Sequence, residues 1–246
     1  MRQYNLTKPQ QLVAEEVPNP VPEPGETVIA VKSVGICGSD IHAYYGQHPY
    51  ISCPIVPGHE FAGVVTQVGD GVDEAWLGKR VTALPSLVCE ECHNCRTGRF
   101  NICQELKVIG CQSDGALAEF VKAPADKLFP LPEEMTWEEA TLVEPLAVAV
   151  HAVRTAGDIV GQRVVVYGGG TIGLLVMQVA KAYGAKEVIL SEPNPFRRNL
   201  AKQLGADHII DPTEVQPAKW LNSKFGPEGV DLSFECVGIE ATVHQA

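Results

Sequence analysis

A thiol, an imidazole and several carboxylates stand in two short runs near the amino terminus: Cys37, Ser39, Asp40 and His42 in GICGSDIH, then His59 and Glu60 in PGHE. Thiolate, imidazole and carboxylate are the ligand types zinc accepts, at about 2.0 to 2.3 Å. A sparse, mixed set such as Cys37, His59 and Glu60 suits a catalytic ion, which keeps one coordination position open, better than a closed structural one. The same residues also suit a plainer arrangement, with Cys37 a small buried hydrophobe and His59 and Glu60 a polar pair on the turn after Pro57-Gly58. A denser group follows, in which Cys89, Cys92, Cys95 and Cys103 are spaced C-x2-C-x2-C-x7-C. Three cysteines at intervals of three on a tight loop turn their sulfurs inward, and a fourth from the returning chain closes a tetrahedron of thiolates. That is a saturated, structural zinc site over 89–103. Disulfides and an iron–sulfur cluster are the competing readings. A reducing compartment opposes the first, and the bacterial cluster run C-x2-C-x2-C-x3-C-P has a shorter last gap and a proline where Gln104 stands. Cys53, Cys111 and Cys236 have no partner spacing and are expected to be small buried hydrophobes.

A third constellation lies in GQRVVVYGGGTIGLLVMQVAKAYGAKEVILSEP. The apolar run Val164 to Tyr167 leads into Gly168-x-Gly170-x-x-Gly173 and then an apolar helix ending near Gly184. The first glycine permits the tight turn, the second lets the backbone approach a pyrophosphate, and the third allows close packing of helix on strand. The helix start, with the free N–H groups of Thr171 and Ile172, then faces the phosphates. Glu192 follows at the expected distance of about 20 residues, at the end of the next strand. A carboxylate there accepts from the ribose hydroxyls and repels a 2′-phosphate, which favours NAD over NADP. Arg197 and Arg198 pull the other way, since an arginine there can stack on adenine or pair with a 2′-phosphate. For Arg198 a solvated place on the helix PFRRNLAKQLG is the competing expectation.

The elements that must position these residues change type along the chain. A Pro-rich loop, VPNPVPEPGE, hands over to a strand in TVIAVKSV, and further short strands are expected in FAGVVTQVG, RVTAL, GALAEFVKA and KLFPLP. From Thr136 the pattern is helical, with Thr136 and Glu139 forming a capping box. The helix EEATLVEPLAVAVHAVRTAG is expected to be interrupted by Pro145, leaving Glu144 at a break as a candidate fourth zinc partner. After the glycine motif, strands alternate with helices through DHII and VDLSFECVG.

At 246 residues, 45% hydrophobic and 20% charged, the chain can bury two cores. Thirty acidic residues against 19 basic ones give a formal charge of −11, with no basic run. Nucleic acid and anionic membranes are therefore not expected partners. No leader pattern and no run of 18 apolar residues is present, so a cytoplasmic protein is expected.

GICGSDIH, PGHE, the four-cysteine lobe, VEPLAVAVHA, GGGTIG and FECVG, in this order and spacing, resemble the zinc-containing medium-chain dehydrogenases over essentially the whole chain. The resemblance implies an α/β protein with a β-rich first domain: a GroES-like catalytic domain over 1–150 and an NAD-binding Rossmann domain, a doubly wound parallel sheet, over 151–246. By position it implies Cys37 and His59 as catalytic zinc ligands and Glu60 and Glu144 as the two carboxylate positions. Ser39 and His42 match the proton relay, Asp40 the partner of the zinc-bound histidine, and Arg197 a basic position beside the ribose. The implied cofactors are two zinc ions per chain and NAD. The Glu after the zinc histidine, VEPL, and Gly38 in place of an arginine resemble the sorbitol, threonine, butanediol and galactitol-phosphate dehydrogenase branch. Polyols, sugar acids or other secondary alcohols are the implied substrates, and the full-length form is expected to be a homo-oligomer. Only four strands of a six-stranded sheet are visible, so the chain is expected to be an amino-terminal portion with an open fourth strand edge and little turnover. A catalytically silent zinc-binding fragment is the alternative from another class.

Overall fold

The computed structural model describes all 246 residues, in two compact units, Met1–Glu144 and Pro145–Ala246. The division falls after Glu144 rather than after residue 150, because Ala149 and Val153 of the intervening helix are buried with the core of the second unit.

The first unit opens with a hairpin that the sequence reading did not anticipate, β1 (Arg2–Lys8) and β2 (Gln11–Glu16). Its turn passes through Gln10 at φ 63°, next to Pro9. Leu6, 1% exposed, packs with Ala43 and Ile55, and its N–H donates to the Ile55 carbonyl at 2.8 Å, so the hairpin braces the segment leading to His59. The main sheet contains β3 (Glu26–Val34), β4 (Phe61–Val68), β5 (Arg80–Ala83), β8 (Phe120–Pro124) and β9 (Leu128–Pro130) in the antiparallel order β8-β3-β4-β5-β9. Its core includes Ile29, Phe61, Val65, Val81 and Val121. Between β3 and β4 lies the helix α1 (Gly38–Tyr44). A lobe between the short strands β6 (Ser86–Leu87) and β7 (Lys107–Val108) carries one turn of helix, α2 (His93–Arg96).

The capping box at Thr136 starts α3 (Trp137–Thr141): the Thr136 N–H donates to Glu139 Oε2 at 2.9 Å and the Glu139 N–H to Thr136 Oγ1 at 3.2 Å. The helix breaks at Leu142, earlier than expected, and α4 (Val143–Thr155) begins at once. Pro145 sits in the first turn of α4, where its missing N–H has no acceptor to lose. Glu144 is therefore a first-turn residue and not an interruption.

The second unit is a parallel sheet of β10 (Arg163–Tyr167), β11 (Glu187–Ser191), β12 (His208–Ile210) and β13 (Leu232–Glu235), in the order β12-β11-β10-β13. Helices α5 (Thr171–Ala182), α6 (Pro195–Gln203) and α7 (Pro217–Phe225) connect the strands, and α8 (Glu240–Val243) follows β13. Val164 and Val166 enter one core with Leu174 and Met177, while Val165 and Tyr167 enter another with Ile210 and Leu221. Burial on both faces explains why β10 is apolar throughout instead of alternating.

Candidate functional site

Pairing of β3 with β4 brings the first constellation together. Val34 lies opposite Phe61, and one step further the Gly35 N–H donates to the Glu60 carbonyl at 2.6 Å. Cys37, just beyond the end of β3, thereby meets His59 and Glu60, just before the start of β4. One ligand atom from each lies within 4.8 Å of the others. His59 is 7% exposed and Glu60 8%. Gly35 makes this possible, because a Cβ there would collide with Glu60 Oε2 and lie 3.1 Å from Glu60 Cβ. Gly58, at φ 100°, sets the backbone before His59, and a Cβ on it would come within 2.9 Å of the Leu117 nitrogen.

Asp40 Oδ2 accepts from the Cys37 N–H at 2.8 Å, which fixes the start of α1. Its other oxygen lies 3.8 Å from His59 Nδ1, and both of these buried atoms lack a hydrogen-bond partner. Burial by itself lowers the His59 pKa, but hydrogen bonds with the Cys111 and Cys37 side chains and the charge of Asp40 outweigh it and lift the group to about 11. The Glu60 carboxyl is raised by burial, against the opposing pull of His59 and Cys37. The Glu144 carboxyl is also raised by burial, and the charges of His59 and Glu60 reach it, yet it stands outside the 4.8 Å set. A zinc dication fits this donor set of sulfur, nitrogen and oxygen. Ser39 and His42 stand three apart on α1, hence on one face. Ser39 is half-buried and His42 exposed, with no hydrogen bond between their side chains.

The four lobe cysteines converge as free thiols. Their sulfurs lie 3.5 Å apart for Cys92–Cys95 and Cys89–Cys103, and 4.0 Å for Cys89–Cys95. A tetrahedral ion with bonds of about 2.3 Å places its sulfurs about 3.8 Å apart. These spacings fit a single ion and are far beyond a disulfide bond. An iron–sulfur cluster, with each thiolate on a different iron, would hold them wider. Backbone N–H groups of Cys92, Cys95 and Glu105 point at the sulfurs of Cys89, Cys92 and Cys103 at 3.4, 3.5 and 3.3 Å. Such donors pull the Cys92 thiol down to about 6 and lower that of Cys103, while desolvation pushes Cys95 up to about 12. Without an ion, four adjacent sulfurs cannot all carry charge.

In the second unit Gly168 takes φ 99°, and a Cβ on Gly173 would collide with the Gly168 carbonyl oxygen. Gly170 faces open space and caps α5 with no side-chain bond, leaving the N–H groups of Thr171 and Ile172 available. A cleft of about 920 Å³, open to solvent, is lined by Gly168, Gly170, Glu192 and Arg197. Glu192 is 3% exposed. Its Oε2 accepts from the Gly169 N–H at 2.6 Å and its Oε1 from the Asn194 N–H at 2.7 Å, so it ties the glycine turn to the end of β11. Arg197 is half-exposed, 3.9 Å from Glu192. Arg198 is not a solvated residue: it donates to the carbonyls of Glu192 and Pro193 and pairs with Asp211 at 2.7 Å.

Residues 23–133 match the family model of the alcohol dehydrogenase GroES-like domain, and residues 171–246 that of the zinc-binding dehydrogenases. L-Threonine 3-dehydrogenase of Pyrococcus furiosus is 40% identical over 245 residues, covering 97% of this chain and 70% of that protein. The chain belongs to the zinc-binding dehydrogenase family. Two solved structures with a TM-score of 0.92 and 35% identity resemble this dehydrogenase. One is a zinc-binding dehydrogenase of Sinorhizobium meliloti 1021 bound to NADP, over 98% of this chain and 71% of that one. The other is an alcohol dehydrogenase of Escherichia coli CFT073 complexed with NADH, over 100% and 73%.

Several residues of the dehydrogenase's sites were silent in its sequence. Gly35 and Gly58 have no motif of their own, and their importance lies in what approaches them. Cys111, expected to be a buried hydrophobe, is half-buried and helps raise the pKa of His59. Cys236 lines the cleft, where burial pushes its thiol up to about 11. The lysine and arginine count held no hint that Arg198 serves the β11 turn. No helix is long and apolar enough to cross a membrane.

Proposed function

We propose that this dehydrogenase transfers hydride between a secondary alcohol and NAD, using one zinc ion at Cys37, His59 and Glu60 and a second, structural one at Cys89, Cys92, Cys95 and Cys103. The observation that carries the reading is the convergence of a thiol, an imidazole and a carboxylate at one end of the antiparallel β3–β4 pair, with the imidazole and carboxylate buried. A zinc ion held there acts as a Lewis acid toward the substrate hydroxyl and lowers its pKa. His59 would hold the ion as neutral imidazole through its other nitrogen, with Nδ1 facing Asp40 Oδ1 at 3.8 Å, the group placed to receive its N–H. Glu144, whose carboxyl feels the charges of His59 and Glu60, is the second carboxylate of the site. Ser39 would accept the proton that the hydroxyl releases while giving up its own toward His42, and the exposed His42 would pass one on to solvent.

Glu192 supports NAD: a 2′-phosphate placed at this carboxylate would meet a buried anion. Arg197 lies 3.9 Å from its carboxylate, and its exposure leaves it free to lie along the adenosine. Polyols, sugar acids and hydroxy amino acids such as threonine are the substrate classes of the branch this sequence resembles. A cytoplasmic location and a homo-oligomeric full-length form belong to the same reading. The formal charge of −11 argues against nucleic acid and anionic membranes as partners.

The test follows NADH formation by the zinc-loaded full-length form with sorbitol, L-threonine and 2,3-butanediol against primary alcohols. Turnover confined to secondary alcohols and abolished by Cys37→Ser is the expected result. A full-length form that carries two zinc ions and binds NADH, yet oxidises none of the panel, refutes the assignment.

A further inference from the structure

Residues 46–50 follow α1 and take no part in the mechanism above, yet both ends of this stretch are tied to segments that carry the zinc site. At its start the Gln47 N–H donates to the His42 carbonyl at 2.8 Å. At its end the Tyr50 carbonyl accepts from Gln112 Nε2 at 2.8 Å, while Gln112 Oε1 accepts from the Val108 N–H at 3.0 Å. Both arms of the Gln112 amide are thus spent on tethering, one on its own turn and one on the stretch opposite. That turn is seated on the backbone just before His59: the Gly58 carbonyl accepts from the Ala116 N–H at 2.8 Å, and a Cβ on Gly110 would lie 2.7 Å from the same oxygen. Chain and hydrogen bonds therefore close a circuit around the ligand set. It runs from Cys37 along α1 to His42, across residues 46–50 to Gln112, through the turn to Gly58 and His59, and by the Gly35–Glu60 bond back to Cys37. Two donors stand on the span that Gln112 holds. His48 Nδ1 accepts from the Tyr50 N–H at 3.2 Å, so the ring keeps its N–H at Nε2, and the two rings meet edge to face at 6.3 Å. Tyr50 is 77% exposed, which leaves its hydroxyl open to a ligand.

We propose that residues 46–50 form the rim of the substrate pocket and that Gln112 is the residue that positions it. His48 Nε2 and the Tyr50 hydroxyl then select an alcohol that carries a second oxygen group, a polyol or a hydroxy acid, over a plain alkanol. The proposal rests on the zinc alcohol reading given above and adds to it what the substrate bears beyond its carbinol.

The test uses the zinc-loaded full-length form with whichever of sorbitol, L-threonine and 2,3-butanediol it turns over fastest, and with 2-butanol as the alcohol that lacks a second oxygen. Gln112→Glu keeps the acceptor for the Val108 N–H but loses the donor to Tyr50, so it cuts the tether alone. It is expected to raise KM for the oxygen-rich substrate about tenfold, with kcat changed less than about threefold and kcat/KM for 2-butanol less than about twofold. Tyr50→Phe, which keeps the backbone bond, should show the same selective rise. Hydrogen exchange over residues 46–52 of the 246-residue chain separates the two roles, faster in Gln112→Glu and unchanged in Tyr50→Phe. Unchanged KM in both variants, or equal losses for the two alcohols, overturns the rim and leaves the zinc reading intact. A full-length form that oxidises none of these alcohols overturns both.

Discussion

Replacing Gly35 by alanine adds a single methyl group, and the structure says where it would go. The new Cβ would overlap Glu60 Oε2, with Glu60 Cβ at 3.1 Å and Cδ at 3.4 Å. Rotating the carboxylate end away does not suffice, because the stem of the side chain is also close and Glu60 is only 8% exposed. Nor can Gly35 retreat without stretching its 2.6 Å bond to the Glu60 carbonyl at the end of the β3–β4 pair. Overpacking of this kind costs about 1 to 3 kcal/mol. The larger effect falls on the metal. Disturbing the support of a ligand typically costs about 10- to 100-fold in affinity, and here the proposed ligand Glu60 is itself displaced. The assay is zinc retained per chain under competition with graded chelator, with the four-cysteine ion as internal reference. Gly35→Ala should release one ion at a chelator strength about 10- to 100-fold lower than the parent and keep the other unchanged. Gly38→Ala is the control, since nothing lies within 4 Å of a Cβ there. Retention of both ions at parental strength by Gly35→Ala would refute the reasoning that this glycine exists to admit the Glu60 carboxylate.

Other perturbations separate the remaining features. Cys37→Ser should abolish turnover and lose one zinc with little change in thermal midpoint, whereas Cys92→Ser should lower the midpoint and expose the lobe to protease, because metal binding there is folding free energy. A single zinc in the parent, or iron with visible absorption, would contradict both. Glu192→Ala leaves two inward N–H groups, of Gly169 and Asn194, without their acceptor, and should cost about 1 to 3 kcal/mol in urea unfolding as well as narrowing any preference for NADH over NADPH. An unchanged stability would show that the two bonds do not anchor the turn. Burial would raise the Asp207 carboxyl, but Lys181 at 2.8 Å and the Val188 N–H outweigh it and hold it below its ordinary value. A depressed folded pKa stabilises above the unfolded value of about 3.9 and loses that contribution as pH falls through the folded value. Asp207→Asn should therefore be less stable than the parent at neutral pH and approach it in acid. A difference that persists undiminished at low pH would place the effect in packing instead.

What the sequence determined by itself is whatever is settled between near neighbours. The four-cysteine lobe closes within fifteen positions, so its spacing alone implies its geometry. The glycine turn, the Thr136–Glu139 cap and the alternation of strand and helix after residue 160 are likewise local, because turn sterics and capping act over three or four residues. Tertiary structure decided what depends on register and approach. Cys37 and Glu60 are 23 positions apart, and only the antiparallel pairing of β3 with β4 makes them neighbours. Gly35 and Gly58 have meaning only through the atoms that come close to them. The hairpin β1–β2 was hidden because its alternation is weak until Leu6 finds Ala43 and Ile55. Helix α4 could begin at Val143 rather than break at Pro145 because a proline in a first turn loses no hydrogen bond. Arg198 and Glu192, whose types suggested a choice between two cofactors, turn out to spend most of their hydrogen-bonding capacity on the turn that holds them. Residue type and spacing tell which chemistry is possible, whereas burial and distance decide which groups remain free to perform it.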